Sequence, residues 1–374
     1  VAGQNNHRKL FKIRIKMLIL NQLKIKSTIA LIIGGASIFN VLADDKNMPS
    51  QCRNIIIDKV WSGAPVGSTA ISTPQAIFAT YYNKDRYLTV AKIGLPDCRV
   101  ERKILSSQYG GHDVHNYITM VLDNTSRLHI AGNMHNVPLI YFQNSIPMDI
   151  ASLQAASMTG SNESSVTYPQ FFFTKEKNLF FTFRDGMSGN GTWYVNRLDD
   201  HGRWIRVDDV QLYARNAKVP GLNATSPVSA YPSPFELQSD GFFHIAVVWR
   251  VANQSIKNAR ANNYPLSNFS LTYAKTKDFK TWVDAAGNPL NLPLSPDTMS
   301  KVVEPGLDSG LVNNAKVSLD PKGRPVIVFT QYVASANGTG DLNGLFAARF
   351  IEGGWVIKLL KQSNVFTKLA GRGA

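Results

Sequence analysis

The sequence predicts an all-β protein, and more narrowly a single β-propeller, from three observations. Beyond residue 50 the apolar residues fall in short runs such as FFFTKEKNLFFTFRD, FHIAVVWR, PVIVFTQY and LFAARF. Gly, Asn, Asp and Ser separate these runs, and no long stretch keeps a helical period. Five segments repeat one pattern: a polar or aromatic opening residue, an apolar strand, a polar turn, a second apolar strand and a polar finish.

In chain order these are STPQAIFATYYNKDRYLTVAKI from Ser72, HNYITMVLDNTSRLHIAGNMH from His115, TYPQFFFTKEKNLFFTFRD from Thr167, AYPSPFELQSDGFFHIAVVWR from Ala230 and NNAKVSLDPKGRPVIVFTQY from Asn313. Their openings are spaced by about 40 to 80 residues, which fits blades with variable insertions. A propeller suits such a pattern better than a sandwich, because the inner strands of each blade form one hairpin. About 330 residues follow the leader described next, and at roughly 45 per blade they make about seven blades.

Residues 1–43 differ from the rest. They hold seven Lys/Arg and no acid, then an apolar run from about Ile29 to Phe39 and the small-residue end Val41-Leu42-Ala43. That is the layout of a secretory signal peptide cut after Ala43, with an N-terminal extension, since Met17 to Ala43 alone makes an ordinary signal. Residues 44–374 then form the propeller domain, placed in a secreted or periplasmic setting. No later stretch approaches the roughly 20 apolar residues a membrane span requires. Losing the leader lowers the formal net charge from +14 to +7. A basic exported chain suits an anionic polymer, whose local concentration its field would raise. The positive charge is dispersed and without a nucleic-acid motif, which argues against nucleic acid as partner. Cys52 and Cys98 are the only cysteines and, once exported, can form one disulfide; neither has zinc-site spacing.

The hairpin pattern also gives geometry. The first and last residues of a hairpin lie at the same end, so His115 and His135 meet in one repeat. Tyr168 and Arg184, Tyr231 and Arg250, and Asn314 and Gln331 occupy those ends in others. If inner strands line a channel, these side chains converge on one rim, a polar cleft suited to a saccharide. Of seven histidines, His129 alternates with apolar strand positions and is expected to be structural, as is His244. His112, in GGHD, is open to either role. His7 and His201 lie in the leader and in the DDHGRW turn.

Two resemblances follow from these residues. TKDFKTW, from Thr276 to Trp282, resembles the Asp-box of the bacterial neuraminidase repeat, with Phe279 in its glycine position; the box is a structural turn. HNY with LHIAGNMH, YPQFFFTKEKNLFFTFRDGMSGNG, and AYPSP with HIAVVWR together resemble the propeller polysaccharide lyases of that repeat type, especially the ulvan lyases, over roughly residues 50–350. The resemblance implies a monomeric enzyme that cleaves the 4-linkage of a uronic acid in an anionic polysaccharide by β-elimination. It implies His115 and His135 as the histidine pair, Tyr168 as the tyrosine and Arg184 as the arginine that neutralises the carboxylate. His115 and Tyr168 share the base and acid roles. Asn116, Asn133, Ser188, Tyr231 and Arg250 are implied as substrate contacts.

The residue types suit that chemistry. Removing the C5 proton builds negative charge on the carboxylate, which an always-charged planar guanidinium can neutralise. Imidazole takes a proton near neutrality with little tuning, and tyrosine can protonate the leaving oxygen. The sequence departs from the family in two places. No cofactor is needed for catalysis, but family members often carry His and Cys ligands for a structural metal after the WR strand; NNYPLSNFSLTYAKTKD has neither residue, so the sequence does not support a structural zinc or calcium. The chain also stops at GRGA soon after its last recognisable strand pair, which predicts an incompletely closed propeller or a truncated reading frame. Two other classes are compatible with the fold: a sialidase-like glycoside hydrolase, for which the Arg-Ile-Pro-like motif is missing, and a non-catalytic carbohydrate-binding propeller.

Overall fold

The structure, a computed structural model, describes residues 55–207, 211–212, 216–222, 224–252, 267–333 and 342–364, and the backbone alone of strands Leu10–Met17, Thr28–Ile32 and Asn40–Leu42. These three strands join Ile56–Trp61 in a four-stranded antiparallel sheet. The expected cleavage point after Ala43 lies outside the described residues, as does Cys52; Cys98 is disulfide-bonded. Among the described residues the regular structure is strand, apart from a 3-10 turn at Val114–Asn116, and no helix is long and apolar enough to cross a membrane. The all-β expectation holds. The chain divides into two compact units, Val1–Phe171 and Phe172–Ala374.

The first unit is built on two four-stranded antiparallel sheets. One contains Ala70–Ser72, Ala76–Tyr82, Tyr87–Gly94 and Val100–Gln108; the other contains Ile118–Leu122, Leu128–Gly132, Tyr141–Asn144 and Leu153–Ala155. Strand Ala76–Tyr82 is buried on both faces, which is why AIFATYY reads as a nearly continuous apolar run. Its Ala76, Phe78 and Tyr82 pack with Leu88, Val90, Met120 and Ile130 between the sheets. Its Ile77, Ala79 and Tyr81 pack on the other side with Ile57, Val60 and Ala91. The alternation of side chains along a strand lets one segment serve two cores.

In the second unit Leu179–Met187 pairs with Asn190–Leu198, and Val228–Pro232, Phe243–Val251 and Asn268–Thr276 follow one another antiparallel. Lys316–Leu319, Pro325–Val333, Leu342–Ile351 and Gly354–Gln362 form a separate four-stranded sheet. An aromatic core joins Phe172, Phe180, Phe235, Phe243, Phe279 and Trp282, with ring centroids 5.1–5.7 Å apart. Three buried indole N–H groups have acceptors: Trp193 donates to the Ala230 carbonyl, Trp249 to Thr272 and Trp282 to Gln211.

The sequence repeat has a physical basis in one turn used again and again. At Asn83, Asp123, Thr174, Asp199, Gln238, Asp284 and Asp320 the first residue's carbonyl accepts from the amide three residues on, and its own amide donates to the carbonyl four residues on. The fourth residue has positive φ each time: Arg86, Ser126, Lys177, Gly202, Gly241, Gly287 and Gly323. This is the three-residue hairpin loop made by a type I turn and a left-handed residue. The leading Asp side chain accepts further backbone amides, as Asp123 does from Thr125 and Arg127. The Asp-box is a different turn. Asp278 accepts from Lys280 and Thr281, and Phe279 stands at φ +62°, the left-handed position glycine fills in the box pattern.

Side chains repeat as well. In the first unit His129 is fixed between Asp123 (3.1 Å) and Tyr141 (2.6 Å); in the second His244 is fixed between Asp240 (2.9 Å) and Tyr273 (2.6 Å). In both, the tyrosine lies across from the residue two beyond the histidine, Ala131 and Ala246. Both histidines are structural, as expected. Both ring nitrogens of His244 are thus hydrogen-bonded to protein groups.

Candidate active site

His115 and His135 come together, but not as ends of the paired hairpin. Pairing in that segment begins at Ile118 with Gly132 and ends at Leu122 with Leu128. His115 sits before it in the 3-10 turn, and His135 sits after it, opening a short strand that pairs with Thr167. Gly132 permits the close crossing, since a Cβ there would lie 2.8 Å from the Tyr117 carbonyl. The two imidazoles stack with centroids 4.2 Å apart and planes 25° from parallel.

What holds them is Asp113, which the sequence reading did not single out. Its carboxylate caps the 3-10 turn by accepting the His115 backbone amide at 2.9 Å. The same Oδ1 accepts from His115 Nδ1 at 2.5 Å, and Oδ2 accepts from His135 Nδ1. Tyr109 and Asn116 in turn donate to the Asp113 carbonyl. Partial burial alone would raise the Asp113 carboxyl, but the hydrogen bonds from His115 and His135 outweigh it and hold its pKa at about 2. Both Nδ1 atoms are therefore the donors in neutral imidazole, leaving each Nε2 as the basic nitrogen.

Tyr168 completes this cluster. Its ring meets His115 edge-on at 5.5 Å, and it is half-buried. Its φ is +61°, immediately before Pro169, a conformation that costs a non-glycine residue roughly 1–2 kcal/mol. Unlike Arg86, Ser126 and Lys177, which carry the same strain in hairpin loops, Tyr168 carries it inside a strand, Val166–Phe173. Asn136, at φ +56°, and Thr167 exchange hydrogen bonds beside it and fix the irregular pairing that sets His135 across from Thr167, the residue before the tyrosine.

Arg184, Ser188, Tyr231 and Arg250 form a second cluster, in the second unit. Val228–Pro232 and Phe243–Val251 pair Ser229 with Arg250, so Tyr231, two residues along, shares the face of Arg250. The Arg250 guanidinium lies 4.6 Å from the Tyr231 ring centre. Arg184 donates to the Tyr231 hydroxyl at 3.3 Å, Arg250 donates to it at 3.4 Å, and Ser188 lies 2.9 Å from it. Arg250 also donates to Asn268 at 2.9 Å. Arg184 is 1% and Arg250 2% exposed. Burial would raise the Tyr231 phenol, but the charges of Arg250 and Arg184 dominate and lower it. Two guanidinium groups beside a phenol supply the donors a carboxylate needs, although almost none of their surface is open in this structure.

Asn116 and Asn133 are more strongly tied to the scaffold than substrate contacts need be. Asn116 donates to Asp113, and Asn133 spends both amide protons on Ser107 and the Gln108 carbonyl. His112 is exposed and lies against Trp61. The only sequence signal for Asp113 was its place in GGHDVHN, two residues before a histidine, where an N-cap acid is common.

Comparison with known proteins agrees with this architecture. Residues 76–362 match the family model described as BNR repeat-containing family member. No curated protein matches the sequence. Among solved structures the fold resembles an ulvan lyase of polysaccharide lyase family PL25 (15% identity, 77% of this chain and 69% of that chain, TM-score 0.56). It resembles equally the PL25 ulvan lyase bound to -[GlcA(1-4)Rha3S]- (14%, 77% and 69%, 0.55). It also resembles the polysaccharide lyase Uly1 (16%, 79% and 72%, 0.58).

Proposed function

The chain belongs to the BNR repeat-containing family, and from that premise we propose that it is a secreted polysaccharide lyase acting on a uronate-containing anionic polysaccharide, ulvan or a polymer like it. The observation that carries the reading is the Asp113–His115–His135–Tyr168 cluster: two imidazoles with a fixed tautomer beside a strained tyrosine. The fold likeness to ulvan lyases supports it. The single propeller of about seven blades belongs to the same proposal, supported by the repeated hairpin turn and the repeated Asp–His–Tyr arrangement.

In this reading Arg184 neutralises the uronate carboxylate, which acidifies the C5 proton. A base takes that proton, its electron pair forms the C4=C5 double bond, the C4–O bond breaks, and the departing oxygen receives a proton. His115 Nε2 and Tyr168 share these two roles. Glucuronate and its C5 epimer, iduronate, present the proton on opposite faces, so each residue serves as base for one of them. Asp113 keeps the Nδ1 protons in place, and His135 holds the carboxylate's other oxygen. Tyr231, Arg250 and Ser188 contact the substrate's acidic groups. The protein works as a monomer without a cofactor.

The test is digestion of ulvan and related polyuronates by the wild type, His115→Ala and Tyr168→Phe, followed by the ultraviolet absorbance of unsaturated uronate. Turnover by the wild type and its loss in both variants is expected; no unsaturated product from any substrate would overturn the reading.

A further inference from the structure

We propose that Asp113, His115 and His135 bind one transition-metal ion of the Zn2+ class through two imidazole nitrogens and one carboxylate oxygen, its remaining coordination positions open to solvent. The donors are already assembled, with one atom from each residue lying within 4.8 Å of the others. Two nitrogens and an oxygen suit zinc, nickel or copper, whereas magnesium and calcium prefer all-oxygen shells.

Orientation is preset. The stacked rings aim both Nδ1 atoms at the same carboxylate. Donors on a tetrahedral zinc ion lie roughly 3.3 Å apart, a spacing inside the 4.8 Å that bounds these three atoms. The scaffold behind them is also fixed, by Tyr109 and Asn116 on Asp113 and by the pairing of His135 with Thr167. The side chains of Asp113, His115 and His135 keep 38%, 36% and 33% of their surface exposed, so an ion can enter and water can complete its shell.

Binding at Nδ1 moves the proton of each neutral imidazole to Nε2. An occupied site therefore removes the lone pair that the proposed elimination uses, and the ion would act as an inhibitor. Binding itself does not depend on that reaction.

The experiment takes the full chain, stripped with a chelator and dialysed, and titrates it with Zn2+ by calorimetry and with Co2+ by visible absorption. One equivalent should bind, with Co2+ giving the bands of a low-coordinate nitrogen–oxygen site. His135→Ala and Asp113→Asn should each weaken binding by on the order of tenfold or more; His112→Ala should leave it unchanged. In the wild type, Zn2+ should also shield His115 and His135 from acylation by diethyl pyrocarbonate, a readout independent of how the variants fold. Absence of saturable binding, binding indifferent to both site variants, or no shielding overturns the proposal. Metal binding without any lyase activity upholds it while refuting the proposed reaction.

Discussion

One oxygen of Asp113 accepts both the backbone amide and the ring Nδ1 of His115, at 2.9 and 2.5 Å. Turn cap and imidazole orientation are thus one interaction, and the other oxygen extends it to His135. Asp113→Asn keeps the shape but offers one acceptor and one donor where two acceptors stood, so one imidazole must change tautomer or lose its partner. The expected outcome is a drop in turnover on a uronate polymer of roughly 10²-fold or more, with a nearly unchanged melting temperature. Steady-state kinetics beside thermal unfolding checks it; a variant as active as wild type would remove Asp113 from the site.

His244 gives a pH-dependent stability. Burial lowers the His244 pKa below its ordinary 6.5, and Asp240 only partly offsets this. Above 6.5 the residue is neutral in both folded and unfolded chains. Below that value the unfolded chain takes up the proton first, so stability is lost as pH falls from 6.5 toward the lowered folded value. Thermal unfolding between pH 7.5 and pH 5, as approximate end points, should show a falling melting temperature. His244→Gln, which cannot be protonated, should be less stable at the upper end and show a shallower slope. Equal slopes would assign the loss to other groups.

The physical reason some of this was legible in the sequence and some was not is visible in particular residues. His129 and His244 could be read as structural because each alternates with apolar strand positions, a local signal. Phe279 could be placed at a turn because Thr276, Asp278 and Trp282 surround it at fixed offsets. Tyr231 and Arg250 were found through the repeat, and a two-residue offset in register leaves them on one face. Asp113 escaped because its role exists only once His135, 22 residues on, returns beside it. The same holds for the hairpin: its paired strands end short of both histidines, and the 3-10 turn with the Asn136 irregularity brings the rings together. Those features depend on tertiary contacts with Tyr109, Tyr82 and Thr167 and leave no periodic trace.

Phe279 sets two energies against each other. Its left-handed φ of +62° costs roughly 1–2 kcal/mol relative to glycine. Its ring is fully buried against Phe172, Phe180, Phe235, Phe243 and Trp282. Removing such a ring costs about 3–5 kcal/mol, so burial wins. Phe279→Gly, although it restores the glycine of the box pattern, should destabilise the protein by about 1–4 kcal/mol in denaturant titration. A neutral or stabilising result would mean the aromatic core closes over the gap.

Gly191 tests whether Arg184 must lie where it does. Arg184 pairs with Trp193, and Gly191, two residues before it, sits on the same face beneath the arginine stem. A Cβ on Gly191 would stand 2.6 Å from Arg184 Cδ, 2.9 Å from its Cγ and 3.0 Å from the Met187 carbonyl. The side chain must yield, because the carbonyl cannot. Moving it draws the guanidinium away from the Tyr231 hydroxyl, now 3.3 Å from it. A displacement near 1 Å at a charge that stabilises the transition state costs on the order of 10²-fold, so Gly191→Ala should lower kcat/KM by about that much. Gly202→Ala is the comparator: that glycine, at φ +74°, has nothing within 4 Å of an added Cβ. It should lose about 1 kcal/mol of stability from backbone strain and keep its kcat/KM. Equal kinetic losses in the two variants would point to general destabilisation, and an unchanged Gly191→Ala would show that Arg184 does not serve the reaction from this position.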